Sequence, residues 1–295
     1  MNKLRLNAQD FIPLEVTLVI PTFNRAEVLS KSLSHYSDIE KIQNVHILII
    51  DNGSTDRTKD VVDDFMNHST LNIRYCFEPK VGLSHARNRA IAECSTDFLV
   101  YLDDDCYPSE TFIIELEKWL LKRDVVVTGM CSRWDEMTPK WVEDSFYITN
   151  PEVLSISQLS TSTYIKGGVL LTSIDVLNKI GGFDESLGMS GEKVTYGEDT
   201  KFGDMAIRME IPVYFDPGLN IFHKSHFVSP TQFLRSQFNK GYSHRLISGQ
   251  KLGISRSFLR VVRVTLMSAA RFLKDILAGL NINKNIVRNF SSVAN

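Results

Sequence analysis

Three consecutive carboxylates, Asp103, Asp104 and Asp105, follow directly on the apolar run Phe98-Leu99-Val100-Tyr101-Leu102. Such a run reads as a strand buried on both faces. The acids then emerge together at its carboxyl end, where open α/β sheets bind ligands. Like charges this close repel unless a cation or a ligand offsets them. A hard divalent metal with oxygen ligands, itself neutralising phosphates, is the natural partner. Taken alone, the triplet also reads as a solvated turn capping a helix that begins near Ser109.

The elements that must position these acids alternate between strand and helix. Val16 to Ile20 is β-branched and apolar, stops at Pro21 and leads into a helical pattern through Val28, Leu29, Leu33 and Tyr36. Val45 to Ile50 ends in Asp51-Asn52-Gly53-Ser54, with a helix through Val61, Val62 and Phe65 capped by Ser54 or Thr55. Ile73–Phe77 predicts a third strand, Leu83–Ala92 a helix, Phe98–Leu102 the fourth strand, Phe112–Leu121 a helix and Val125–Met130 a fifth strand. Repeated βα units imply an α/β fold with a mostly parallel central sheet flanked by helices. Residues 133–165 read as irregular connection, and 187–197 as a mobile loop around Gly188-Met189-Ser190-Gly191. A helix over Thr200–Met209 and short strands at Val213–Phe215 and Leu219–Phe222 follow.

The composition is that of a folded enzyme: 295 residues, 43% hydrophobic and 23% charged. Four cysteines, Cys76, Cys94, Cys106 and Cys131, form no C-x-x-C pair, which fits reduced thiols in a cytoplasmic setting. The amino terminus lacks the apolar core of a signal peptide, and no stretch is long enough to span a bilayer. Charge is divided unevenly. After residue 218 there are twelve Lys or Arg and one acid, Asp275, against 21 bases and 34 acids before it. An acidic body suits metal, and a basic carboxyl-terminal region suits phosphate-rich surfaces.

The ordered set VIPTFNR (19–25), IIDNGSTD (49–56), GLSHARNRAI (82–91), YLDDDCYP (101–108), GGFDESL (181–187) and GEDTKFG (197–203) resembles the nucleotide-sugar glycosyltransferases of family 2, which have the GT-A fold. The resemblance covers roughly residues 14–226. It implies a catalytic domain over 1–228, with a nucleotide-binding half at about 14–131 and an acceptor half at about 132–228. A basic helical extension would occupy 229–295.

By that resemblance Pro21, Thr22, Phe23, Asn24 and Arg25 cradle the nucleotide: Pro21 stiffens the turn, Thr22 offers a hydroxyl and Arg25 reaches a phosphate. Asp51 reads the base. The family usually carries a second acid at the next position, where this chain has Asn52, an amide that donates as well as accepts. UDP is the expected carrier, with dTDP and GDP as alternatives. Gly82 and the Arg87-Asn88 pair line the nucleotide pocket, Arg87 facing base or diphosphate. Asp103 touches ribose or metal, Asp104 lies towards the sugar, and Asp105 binds Mn²⁺ or Mg²⁺. His223 is the expected third metal ligand, with His226 as the alternative. Gly167-Gly168 and Gly182-Phe183-Asp184 form the sugar and acceptor wall. Asp199 is implied as the base that deprotonates an acceptor hydroxyl, with Glu198 in support, giving inversion at the anomeric carbon. As a purely structural pair, Glu198-Asp199 would also favour a helix amino terminus.

Between Ser255 and Leu280, Arg256, Arg260, Arg263, Arg271 and Lys274 form one helical stripe, with Phe258, Leu259, Val262, Leu266, Phe272, Leu273 and Leu277 on other faces. A basic amphipathic helix can lie on an anionic membrane, here the inner face of the cell membrane. Packing against the catalytic domain is the other reading. The expected partners are a nucleotide-sugar donor and a glycan or glycolipid acceptor in surface polysaccharide or glycolipid assembly, with no nucleic acid. Two other function classes compete. A nucleotidyltransferase would need a Gly-rich phosphate loop after the first strand, which PTFNRAEV is not, and a non-catalytic binder would not need Asp103, Asp105 and Asp199.

Overall fold

The computed structural model describes residues 15–133, 155–162, 165–191, 193–194 and 196–223. Most of the 133–165 connection lies outside these residues, as do His226, the 229–295 extension and its 255–280 helix.

The chain begins with three βα units: β1 (Val16–Thr22) and α1 (Ala26–Tyr36), β2 (His46–Asp51) and α2 (Thr58–His68), β3 (Ile73–Phe77) and α3 (Leu83–Glu93). β4 (Phe98–Leu102) carries the acids at its end, and β5 (Cys106–Pro108) follows at once, before α4 (Phe112–Glu117). Next come β6 (Val126–Arg133), β7 (Ser157–Leu159), β8 (Val169–Ser173) and α5 (Ile174–Ile180). β9 (Met189–Ser190), β10 (Lys193–Val194), α6 (Glu198–Arg208) and β11 (Val213–His223) complete the described elements.

The main sheet runs β3-β2-β1-β4-β8-β6-β11-β5, with β7 also on β11. β3, β2, β1 and β4 are mutually parallel, as are β6 and β11, while β8 runs antiparallel between β4 and β6. Two apolar layers sandwich it. Phe98, Val100 and Leu102 of β4 face α1, α2 and α4, whereas Leu99 and Tyr101 face α3, α5 and α6. All five are 3% exposed or less, which explains the unbroken apolar run.

Four local expectations change. α2 starts at Thr58, and its first turn is held by the Asp56 carboxylate, which accepts from the Thr58 N–H (3.0 Å) and hydroxyl; Ser54 and Thr55 lie too early to cap it. The 187–197 window contains the β9–β10 hairpin. The acid triplet leads into strand β5 rather than directly capping a helix. Finally, the two carboxyl-terminal strands are one, β11, whose pairing with β6 skips from Asp216 to Asn220. Gly129 makes that bulge possible, because a Cβ there would lie 2.0 Å from the Leu219 carbonyl oxygen. Buried Asp216 fixes the turn, accepting from the Gly218 N–H (2.8 Å) and from Trp119 Nε1 (2.6 Å).

Candidate active site

β1, β2, β4 and β11 all end at one edge of the sheet, and antiparallel β8 begins there. The topology therefore gathers Thr22, Asp51, Asp103, Asp104, Asp105, Gly167, Gly168 and His223 although up to 201 positions separate them. At the β1–β2 corner, Asp51 is buried and accepts from the Tyr75 hydroxyl (2.8 Å) and the Ser54 N–H (2.9 Å). Asn52 donates to the carbonyls of Lys80 (2.6 Å) and Glu78 (3.4 Å) and accepts from the Gly82 N–H (2.7 Å). That side chain ties the β3–α3 loop to β2, using donor and acceptor together in a way a carboxylate could not. Asn24, at φ 51°, accepts from the Thr55 and Asp56 amides and so locks the first βα turn to the second. Phe23 beside it is half-buried and Pro21 is buried.

Two arginines share the acid triplet. Arg25 donates to Asp104 at 2.6 Å and to Asp105 at 2.7 Å, and Thr22 donates to the other oxygen of Asp104 at 2.8 Å. In this geometry the Arg25 guanidinium is turned to the carboxylates. Burial, only partly opposed by Arg25 and reinforced by Asp105, pushes the Asp104 carboxyl up to about 7. Arg87, from the second turn of α3, is buried between the layers. Its guanidinium meets Glu198 at 2.7 Å and Asp103 at 3.6 Å, and it lies 5.3 Å from the Phe183 ring centroid. Arg87 thus links the triplet to α6 from within the core. Burial and neighbouring Asp199, against the pull of Arg87, raise Glu198 to about 6.

Asp199 is the second residue of α6. Its Oδ2 accepts from the Gly167 N–H at 2.9 Å, and its Oδ1 from the Thr200 N–H at 2.6 Å. The Gly167-Gly168 pair is the seam between Asp199 and the triplet: a Cβ on Gly167 would lie 2.3 Å from an Arg87 nitrogen, and one on Gly168 would lie 2.9 Å from Asp103 Oδ2. On the outer side, Asn88 both donates to the Phe183 carbonyl (2.9 Å) and accepts from its N–H (2.8 Å). Asp184 pairs with Lys201 and Ser186, which together hold its carboxyl down at about 2.

The donor chemistry fits a divalent cation. Ligand atoms of Asp103, Asp105, Cys106 and His223 all lie within 4.8 Å of one another, and His223 Nε2 is 3.0 Å from Asp105 Oδ1. Burial works against a charged His223, but Asp105 and Asp103 together outweigh it and the imidazole pKa is raised. Of this set, Cys106 was not among the expected ligands, and Tyr75, which holds Asp51, was also not anticipated. A cysteine adjoining three acids was the available signal for the first; nothing local in the sequence marks the second.

The model of the family described as Glycosyl transferase family 2 matches residues 17–180, more than half of the chain. This chain belongs to glycosyltransferase family 2. Among its relatives are Glycosyltransferase GlyG of Streptococcus pneumoniae serotype 4, 26% identical over 46% of this chain and 44% of that one. A Methanococcus voltae relative, dolichyl N-acetyl-alpha-D-glucosaminyl phosphate 3-beta-D-2,3-diacetamido-2,3-dideoxy-beta-D-glucuronosyltransferase, is 30% identical over 39% of this chain and 37% of that one. The chain thus spans less than half the length of either. The fold of this family 2 member is similar to that of the mannosyltransferase PcManGT from Pyrobaculum calidifontis, solved with GDP-Man and Mn2+. That match has a TM-score of 0.61 at 18% identity and covers 97% of this chain and 83% of that one, which identifies the fold as GT-A.

Proposed function

We propose that this protein transfers a sugar from a nucleotide-diphospho-sugar to an acceptor hydroxyl with inversion at the anomeric carbon. One observation carries the reading: the Gly167-Gly168 seam sets the Asp199 carboxylate beside the cluster of Asp103, Asp105 and His223. Asp199 takes the proton of the acceptor hydroxyl as its oxygen bonds to the anomeric carbon and the bond to the diphosphate breaks. Two backbone N–H groups and the Thr200 hydroxyl (3.3 Å) hold that carboxylate in place, leaving a lone pair on Oδ2 for the substrate. A divalent cation held by Asp103, Asp105 and His223 would neutralise charge on the departing diphosphate. Glu198 and Arg87 fix the helix end from which Asp199 projects.

A UDP-sugar is the proposed donor. Asp51, acceptor-only and pinned by Tyr75 and Ser54, suits the single imide N–H of uracil. The proposed acceptor is a surface glycan or glycolipid, in line with the dolichyl N-acetyl-alpha-D-glucosaminyl phosphate in the name of the Methanococcus voltae relative. The basic 255–280 segment would contact the anionic inner membrane face, and no helix among the described residues is long and apolar enough to cross a membrane. Asp199→Asn should lower transfer on the order of 10²–10⁴-fold while nucleotide-sugar binding with Mn²⁺, read by thermal shift, persists; full activity would refute the base assignment. UDP-sugars should stabilise the protein and GDP-mannose should not, a preference that the reverse order would overturn.

A further inference from the structure

The cluster at the end of β4 contains a sulfur donor that the proposed transfer does not use. Cys106 reaches it by two independent constraints. Its N–H donates to the Asp103 carbonyl (3.1 Å), a turn that folds residue 106 back over the first acid. Its strand β5 pairs antiparallel with β11, which sets Cys106 directly opposite His223. The side chain is fully buried, and the Ser32 hydroxyl holds its carbonyl at 2.9 Å, so the thiol stays aimed at the cluster.

Four donors around one ion at metal–ligand lengths of about 2.0–2.3 Å stand about 3.3–3.8 Å apart in a tetrahedron. The present spread of at most 4.8 Å is therefore within about 1 Å of that arrangement. Two carboxylates alone suit a hard ion, whereas imidazole and thiolate together favour a softer one.

We infer that Asp103, Asp105, Cys106 and His223 form a four-coordinate site for a thiophilic divalent cation of the Zn²⁺, Co²⁺ and Cd²⁺ class, with Cys106 as its sulfur ligand. Binding replaces the thiol proton by a sulfur–metal bond and releases that proton to solvent. With all four positions filled by protein, such an ion has no open position for a diphosphate, so it competes with Mn²⁺ and blocks nucleotide-sugar binding. The inference rests on the proposed use of Asp103, Asp105 and His223 as a cation site.

The test is titration of the full chain with Co²⁺, followed by absorption spectroscopy, alongside Mn²⁺ binding followed by the paramagnetic resonance signal of free Mn²⁺. Co²⁺ should produce a sulfur-to-cobalt charge-transfer band in the near ultraviolet. The band should survive Cys131→Ser and vanish in Cys106→Ser and Cys106→Ala. Those Cys106 variants should lose Zn²⁺ affinity by about tenfold or more while Mn²⁺ affinity changes less than about twofold. Mn²⁺ binding to the unaltered chain without a charge-transfer band overturns the sulfur ligand and leaves the transferase reading standing. A band that persists without Cys106 also overturns it. Failure to bind either ion removes the cation site itself, and both readings fall together.

Discussion

Arg25 and Arg87 divide the acid triplet between them, Arg25 taking Asp104 and Asp105 and Arg87 taking Asp103, yet they are different kinds of residue. The Arg25 side chain is 31% exposed and sits at the rim of the sheet edge, whereas that of Arg87 is 2% exposed and sits between the layers. Water reaches the Arg25 guanidinium itself, although the Asp104 and Asp105 side chains that it holds are only 5% exposed. It does not reach Arg87, whose ion pair with Glu198 lies wholly inside the core. The inner arginine is therefore a structural member joining α3 to α6, whereas the outer one, in the proposed function, is the counter-charge offered to an incoming phosphate.

The strongest break of this contrast is Arg87→Ala, which strands Glu198 and should cost about 3–5 kcal/mol in urea unfolding. Adding Glu198→Gln should recover a large part of that loss, since both charges then leave together. No recovery would mean that Arg87 stabilises through packing on Phe183 rather than through charge. Gly167→Ala presses on the same guanidinium and should cost about 2–3 kcal/mol. Gly168→Ala meets the half-exposed end of Asp103 and should cost less, so equal losses would deny the inner arginine its rigidity.

Glu198 provides a pH test. Its folded pKa is raised from 4.5 to about 6, so the folded state holds the proton more tightly than the unfolded chain does. Its contribution is present below pH 4.5 and is lost as pH rises through about 6, about 2 kcal/mol in all. Relative to Glu198→Gln, the unaltered protein should lose stability across that window, and a gain would reverse the sign of the burial argument. Arg25→Ala should cost less than Arg87→Ala, because losing a side chain that is 31% exposed opens the rim to water around Asp104 and Asp105. Its larger consequence should be weaker nucleotide-sugar binding in a thermal-shift titration.

The half of the fold built from β1 to β4 was readable because each βα unit closes with a polar turn after a largely buried strand. β3 and β4 were predicted to the residue. The β8–α5 junction was not, for a physical reason: Ser173 is at once the last strand residue and the α5 N-cap, its hydroxyl accepting from the Val176 N–H. No turn residue separates the two periodicities, so VLLTSIDVLNKI has no visible seam. In β11 the opposite happened, since Pro217-Gly218 looks like a break but is a bulge within one strand. The acids of the site were legible as types. Their holders were legible only in part: Gly167 was read as sugar wall, and its bond to Asp199, like the contacts of Tyr75 and Cys106, exists only through the sheet order.

That bulge also selects the chemistry at the sheet edge. Residues 217–219 have no partner in β6, so β11 resumes its pairing three residues out of frame, and His223 rather than Asn220 lies opposite Cys106. A straight β11 would present an amide where the imidazole now stands. The permission for the frame shift comes from Gly129, on a neighbouring strand and without any functional group. The identity of one side chain at the reacting edge is thus encoded in a methyl group that is absent elsewhere.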